Sequence, residues 1–245
     1  MAALQQARIC KGCWEQMHVP VPLRGVISAP FRAFGIRPSR MNPNTCTICE
    51  LMFTKVMRAR KITIDATIMF ADLRGYTSLS QSQSPDAVSS LLDAFYDECA
   101  NAIWAHDGLL NKTIGDAVMA VFNFPLQREE HAKNAVLSAR QIQTNWRERR
   151  ETLVEAHGLT ADELGIGIGI HSGELSFGEF GHSHRDLTAI GTVVNTASRA
   201  QSVAEADQIL VTKAVFERVQ PDMKDSQSKP FQLKGFDAPI ELYVA

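Results

Sequence analysis

Two carboxylates sit where an acid is costly to place. Asp72 closes the apolar run Ala66–Leu73 (ATIMFADL), directly before Leu73-Arg74-Gly75-Tyr76-Thr77. Asp116 falls in Lys112-Thr113-Ile114-Gly115-Asp116, at the tip of an expected hairpin. An acid emerging from a buried strand is expensive unless it is paired or bound to a cation. On neighbouring strands the two groups would converge, and like charges that close favour a divalent metal between them. The alternative is a pair of turn acids satisfied by backbone amides.

Four of the five cysteines form two pairs, Cys10-Lys11-Gly12-Cys13 and Cys46-Thr47-Ile48-Cys49, with 32 residues between them. A CxxC knuckle puts both sulfurs on one side of a turn, and two knuckles complete a tetrahedral site. The intervening segment has too few apolar side chains for a core of its own, so a metal would supply the missing folding energy. Zn²⁺ and an iron–sulfur cluster both take four cysteines, and both stay open at this point, as do a redox dithiol and a chance pattern. The gap exceeds the ~15–20 residues common in zinc ribbons. Cys99, on the apolar side of an expected helix, reads as a core residue.

These groups need elements to position them. Ala66–Leu73 reads as a strand. Ser84 before Pro85 opens a helix running to His106, with Val88, Leu91, Leu92, Phe95, Tyr96, Cys99 and Ile103 at helical spacing. Gly108–Asn123 reads as two strands around Gly115-Asp116, and Glu129–Glu155 as a second amphipathic helix. Leu164–Phe177 alternates like a strand, Leu187–Ile190 is another, and Val193–Ala204 is a helix. Ile209–Thr212 and a closing pair within Phe231–Val244 complete the set. The pattern predicts an α+β sheet with helices on one face. Within it, Gly165-Ile166-Gly167-Ile168-Gly169-Ile170 reads as a strand whose bare face lets another element approach closely. No GxxxxGK[ST] stretch occurs, which excludes a P-loop.

The chain has 245 residues, 45% hydrophobic and 21% charged, with net charge −2, the profile of a globular protein. Charge is uneven. Residues 1–64 carry ten Lys or Arg against Glu15 and Glu50, a net of +8, and the remainder carries −10. Two modules follow, the basic one facing an anionic partner or the acidic module itself. The segment His18–Asn44 is rich in Pro, Gly and Arg and reads as loops. Met52–Arg60 has helical spacing and could connect the modules. The basic segment lacks the interleaved aromatics of a nucleic-acid surface, having only Trp14, Phe31, Phe34 and Phe53. No apolar stretch reaches the ~18–20 residues of a membrane helix, and the first ten lack the apolar centre of a signal peptide. A cytoplasmic protein is expected.

Four blocks in order carry a resemblance: Phe70-Ala71-Asp72-Leu73-Arg74-Gly75-Tyr76-Thr77, Lys112-Thr113-Ile114-Gly115-Asp116, Gly169-Ile170-His171-Ser172-Gly173-Glu174, and Ala189-Ile190-Gly191-Thr192-Val193-Val194-Asn195-Thr196-Ala197-Ser198-Arg199. Together they resemble the catalytic domain of class III nucleotidyl cyclases, from about residue 64 to the C-terminus. The resemblance implies a ferredoxin-like βαββαβ-type domain over 65–245, joined by a linker over 52–64 to a small loop-rich, cysteine-containing module over 1–51. It further implies cyclisation of a nucleoside triphosphate with release of pyrophosphate, at two sites of a head-to-tail homodimer. Asp72 and Asp116 match the family's ligands for two Mg²⁺ or Mn²⁺ ions per site, assisted by the backbone of Leu73. Asn195 matches the residue that orients the ribose, Arg199 the one that bonds phosphate, and Lys234 the lysine that contacts the triphosphate. Lys112 and Thr188 match the base-reading pair. A lysine only donates and so suits adenine N1, which makes ATP the expected substrate.

The departures are Thr192, where most relatives have Asp or Asn, Tyr76 for Phe and Leu73 for Ile. Other readings are a cyclase selective for GTP or a pyrimidine nucleotide, and a non-catalytic nucleotide-binding regulator. The basic segment as a nucleic-acid module is a third.

Overall fold

The computed structural model describes residues 7–157, 164–181, 183, 185–224 and 226–245. Residues 1–6, six of the ten read for a signal peptide, lie outside them. At the centre is β1 (Ile62–Leu73), hydrogen-bonded antiparallel to β3 (Ala117–Phe122) on one side and β4 (Ile166–Phe180) on the other. With β2 (Leu109–Ile114), β5 (Asp186–Ile190), β6 (Ile209–Thr212), β7 (Ser228–Phe231) and β8 (Ile240–Val244) the order is β2-β3-β1-β4-β6-β8-β7, with β5 on β4. The four strands β2-β3-β1-β4, connected by helices in the order βαββαβ, form the expected ferredoxin-like core.

Alternation along β1 explains two separate cores. Met69, Ala71 and Leu73 join Leu91, Phe95 and Ile103 of α5 (Pro85–Ala105) and Ala135, Ala139, Ile142 and Trp146 of α6 (His131–His157). Ala66, Ile68 and Phe70 point the other way, against Phe177, Val193 and Ala197. The last two belong to α7 (Thr192–Ser202). Helices therefore cover both faces, not one as the sequence suggested. All six residues Ala66–Ala71 are buried, five of them apolar, and the unbroken apolar run Ile68–Ala71 already carries the reason, since such a run in a strand has both of its faces buried. Helix α5 starts as expected, with Ser84 Oγ accepting from the Ala87 amide at 3.3 Å.

The bare face of β4 is occupied. A Cβ added at Gly169 would lie 2.1 Å from the Gln201 nitrogen and 2.5 Å from the Ala197 carbonyl oxygen, both on α7. At Gly167 it would meet the Arg74 guanidinium at 2.4 Å. Glycine lets α7 and Arg74 lie directly on the sheet.

Three short helices escaped the sequence reading: α1 (Lys11–Met17), α4 (Tyr76–Ser82) and α8 (Lys213–Val219). None is long enough for two turns of apolar spacing to repeat. The helix expected over Met52–Arg60 is longer, since α3 spans Thr47–Ala59 and starts inside the second CxxC pair. A further short helix, α2 (Ala29–Ala33), interrupts the loops between the pairs.

The basic N-terminal segment lies against the acidic remainder. Lys11 Nζ bonds Asp107 at 2.5 Å, Arg128 bridges Asp107 at 2.8 Å and Glu15 at 2.6 Å, and Arg58 approaches Glu179 at 3.8 Å. Of the two partners the charge asymmetry allowed, the protein's own acidic part thus takes some of the charge, while Arg32, Arg37 and Arg40 stay exposed. Among the described residues no helix is long and apolar enough to cross a membrane.

Candidate functional site

β1 and β3 deliver the two carboxylates to one place. In the ladder Asp72 stands opposite Ala117, and the Leu73 amide donates to the Asp116 carbonyl at 3.0 Å. Asp116 is held by the tight turn between β2 and β3, where Gly115 takes φ +60, a left-handed conformation that a side chain would strain. Tyr96 of α5 donates its hydroxyl hydrogen to the Gly115 carbonyl and ties that turn to the helix.

The pair is electrostatically uncomfortable in a way that suits a cation. Burial pushes the Asp72 carboxyl up to about 6, the Arg74 charge pulls it back, and the negative charge of Asp116 raises it further. Arg74 Nη1 lies 3.3 Å from Asp72 Oδ1, and its Nη2 donates to the Gln201 carbonyl at the end of α7. Its Nε is buried and has no hydrogen-bond partner among the described residues. One arginine is an incomplete answer to two carboxylates, and an all-oxygen donor set fits a hard divalent cation such as Mg²⁺ or Mn²⁺.

A second group gathers where β2 meets β5. Lys112 forms an ion pair with Asp186, Thr188 Oγ1 donates to Asn111 Oδ1 at 3.3 Å, and Asn111 Nδ2 donates to the Leu187 carbonyl at 2.9 Å. Lys112 and Thr188, widely separated in sequence, are thus neighbours. Asp186 and Asn111 were missed by the sequence reading, although period-two alternation along β5 puts Asp186 on the face of Thr188 and could have found it.

The remaining residues are more scattered. Asn195 and Arg199 lie one turn apart on α7, the first exposed and the second half-buried. Lys234 is exposed in the connection between β7 and β8. Among the described residues no hydrogen bond or ion pair joins Asn195, Arg199 or Lys234 to the carboxylate pair. Arg74 and Gln201, both beside Asp72, were also missed. Arg74 was visible within the first motif, whereas nothing in the sequence marked Gln201.

Far from both groups along the chain, the sulfurs of Cys10, Cys13, Cys46 and Cys49 lie within 4.8 Å of one another, a cluster able to hold a metal ion. Cys99 is fully buried in the α5–α6 core, where burial pushes its thiol well above the usual range.

Comparison with known proteins agrees with this geometry. Residues 59–245 match the family described as the adenylate and guanylate cyclase catalytic domain. An adenylate cyclase of Anabaena cylindrica is 32% identical over 183 residues, covering 72% of this chain and 36% of the relative. The chain thus spans about a third of that relative's length. The solved adenylyl cyclase CyaB of P. aeruginosa superposes with a TM-score of 0.69 at 28% identity, covering 76% of this chain and 95% of that one. The solved guanylyl cyclase Cya2 gives a TM-score of 0.69 at 27% identity, covering 75% and 92%. Adenylate and guanylate relatives thus lie at similar distance, and the match covers the sheet and the helices on both of its faces. The chain belongs to the adenylate and guanylate cyclase catalytic domain family.

Proposed function

We propose that this protein converts ATP to 3′,5′-cyclic AMP and pyrophosphate, in a head-to-tail homodimer with two sites. The observation that carries the reading is the meeting of Asp72 and Asp116 at adjoining strand ends, with one arginine as counter-charge. Bound there, two Mg²⁺ or Mn²⁺ ions would lower the pKa of the ribose 3′-hydroxyl and offset the charge of the phosphates. Asp72 and Asp116 would hold them, with the backbone of Leu73 as a further oxygen donor. Arg74 would then exchange its carboxylate partner for the incoming charge.

The base is read by Lys112 and Thr188. The ammonium donates to adenine N1, while guanine N1 carries a hydrogen and repels it; the threonine hydroxyl can accept from the adenine amino group. Asp186 holds the lysine at the β2–β5 junction, which limits where its charge can go. Asn195 orients the ribose and Arg199, one turn on, bonds phosphate oxygens, because residues i and i+4 share a helix face. Lys234 adds charge against the triphosphate. The carboxylates of one protomer and the base-reading pair of its partner would complete each site, so a monomer is inactive.

Product analysis after incubating the purified chain separately with ATP, GTP, CTP and UTP in the presence of Mn²⁺ tests the reading. Cyclic AMP formed well ahead of the other products is expected. Dominant cyclic GMP would overturn the substrate, and no product from any nucleotide would favour a nucleotide-binding regulator.

A further inference from the structure

We propose that Cys10, Cys13, Cys46 and Cys49 hold a single Zn²⁺ ion, and that this ion clamps the loop Arg37–Cys46 to the base of the β2–β3 hairpin. The separations are the first argument. Cys13 Sγ lies 3.5 Å from Cys46 Sγ and 3.4 Å from Cys49 Sγ, and Cys10 Sγ lies 3.6 Å from Cys49 Sγ. Four thiolates at the usual Zn–S length of about 2.3 Å on a tetrahedron stand about 3.8 Å apart. A multi-iron cluster would put its sulfurs on different irons, with the body of the cluster between them. The space enclosed here fits one ion. Cys10 and Cys46 are completely buried and Cys13 nearly so, which makes a closed site with no open position for substrate.

The surroundings are built for the same purpose. The backbone amides of Cys13 and Cys46 donate to Cys10 Sγ at 3.4 and 3.2 Å, as a thiolate would require. Gly12 is confined by the site, since a Cβ there would lie 3.0 Å from Cys49 Sγ. Among the described residues only Val21 and Leu23 are buried apolar neighbours besides the cysteines, with Phe31 and Ile36 packed alongside, too few to hold this segment without an ion.

What the ion fastens follows from the loop it ends. Pro38 pairs with Cys46, and within the loop Asn42 and Asn44 are buried. Asn42 Nδ2 donates to the Gly108 carbonyl at 3.0 Å, and Asn44 Nδ2 to the Trp104 carbonyl at 2.9 Å. Trp104 Nε1 returns a bond to the Met41 carbonyl at 2.9 Å. Gly108 directly precedes β2, the strand that carries Lys112 and leads to Asp116. The zinc site thus reaches the start of the hairpin through the Asn42 bond to Gly108, and the end of α5 just before it through the two bonds to Trp104.

The test uses the purified full chain. Elemental analysis should give about one zinc per chain and no iron, with no visible absorption band, and cobalt exchanged into the site should show the visible bands of a tetrahedral thiolate complex. Removal of the ion from wild type by a chelator should accelerate amide exchange around Gly108 and Leu109 by roughly tenfold, the effect of losing about one or two hydrogen bonds. Cys99→Ala should keep the metal, and Cys46→Ser should lose it. Iron with a coloured band, or four reactive thiols with no metal, would overturn the zinc assignment. Stoichiometric zinc with hairpin exchange unchanged on chelation would overturn the clamp.

Discussion

Replacing Gly169 with alanine adds a single methyl group at the point where β4 and α7 touch. Its Cβ would stand 2.1 Å from the Gln201 nitrogen, 2.5 Å from the Ala197 oxygen and 2.6 Å from the Gln201 Cα. All three are backbone atoms of one helix, so no rotamer change relieves the clash. The helix must lift by roughly 1 Å to restore ordinary contact, which strains the Val193 and Ala197 packing beneath it. Overpacking of this kind costs about 1–3 kcal/mol, and backbone against backbone belongs at the upper end. Around 3 kcal/mol in a chain of this size lowers the melting temperature by roughly 6–12 °C. Because α7 carries Asn195 and Arg199, a shift of that size should also slow turnover about a hundredfold. Gly173→Ala is the control, since its Cβ would meet a single side-chain methyl of Val193 at 3.0 Å and no backbone, and it should cost less than Gly169→Ala, about 1 kcal/mol. Urea titrations and initial rates of both variants give the comparison. If Gly169→Ala melted with the wild type and kept its rate, the close seat of α7 on the sheet would be wrong.

Asp72→Asn should abolish turnover under saturating Mn²⁺ while raising stability without metal by about 1 kcal/mol or less, since it removes a half-buried, partly screened charge that the fold disfavours; urea unfolding with chelator present reads the second effect, and a destabilised variant would contradict it. Lys112→Met should raise the KM for ATP more than it lowers kcat, with the melting temperature changed little because its ion pair to Asp186 is partly exposed; an unaltered KM would remove Lys112 from base reading. His171 is held well down, at about 4, by burial and then by the charge of Arg218. The unfolded chain takes up that proton near pH 6.5 and the folded protein refuses it until about pH 4. Stability from this residue is therefore complete above 6.5 and lost as pH falls toward 4, by at most about 3 kcal/mol. The difference in urea stability between wild type and His171→Asn, followed over that range, isolates the effect, and a difference independent of pH would refute it.

Much of this arrangement is written in local sequence. Ser84-Pro85 announces the start of α5, and the alternation of Gly165–Ile170 announces a strand with one bare face. Ala66–Leu73 delivers an acid to a strand end, and each CxxC pair marks two sulfurs on one side of a turn. Each of these depends on periodicity or on spacing within a few residues, which the backbone geometry of helix, strand and knuckle converts directly into position. What occupies the bare face of β4 is not local, because α7 lies some thirty residues downstream and only the assembled sheet brings it there. The same is true of Asp186 beside Lys112, of Arg74 and Gln201 beside Asp72, and of the Asn42 and Asn44 bonds to α5 and the start of β2. Apart from Arg74, two residues from Asp72, these contacts join residues dozens of positions apart, and only the packing of elements chooses among the partners that spacing leaves open. The sequence by itself determined which side chains could do chemistry. The tertiary structure decided which of them stand together, because convergence is a property of how strands pair and helices seat, not of their order along the chain.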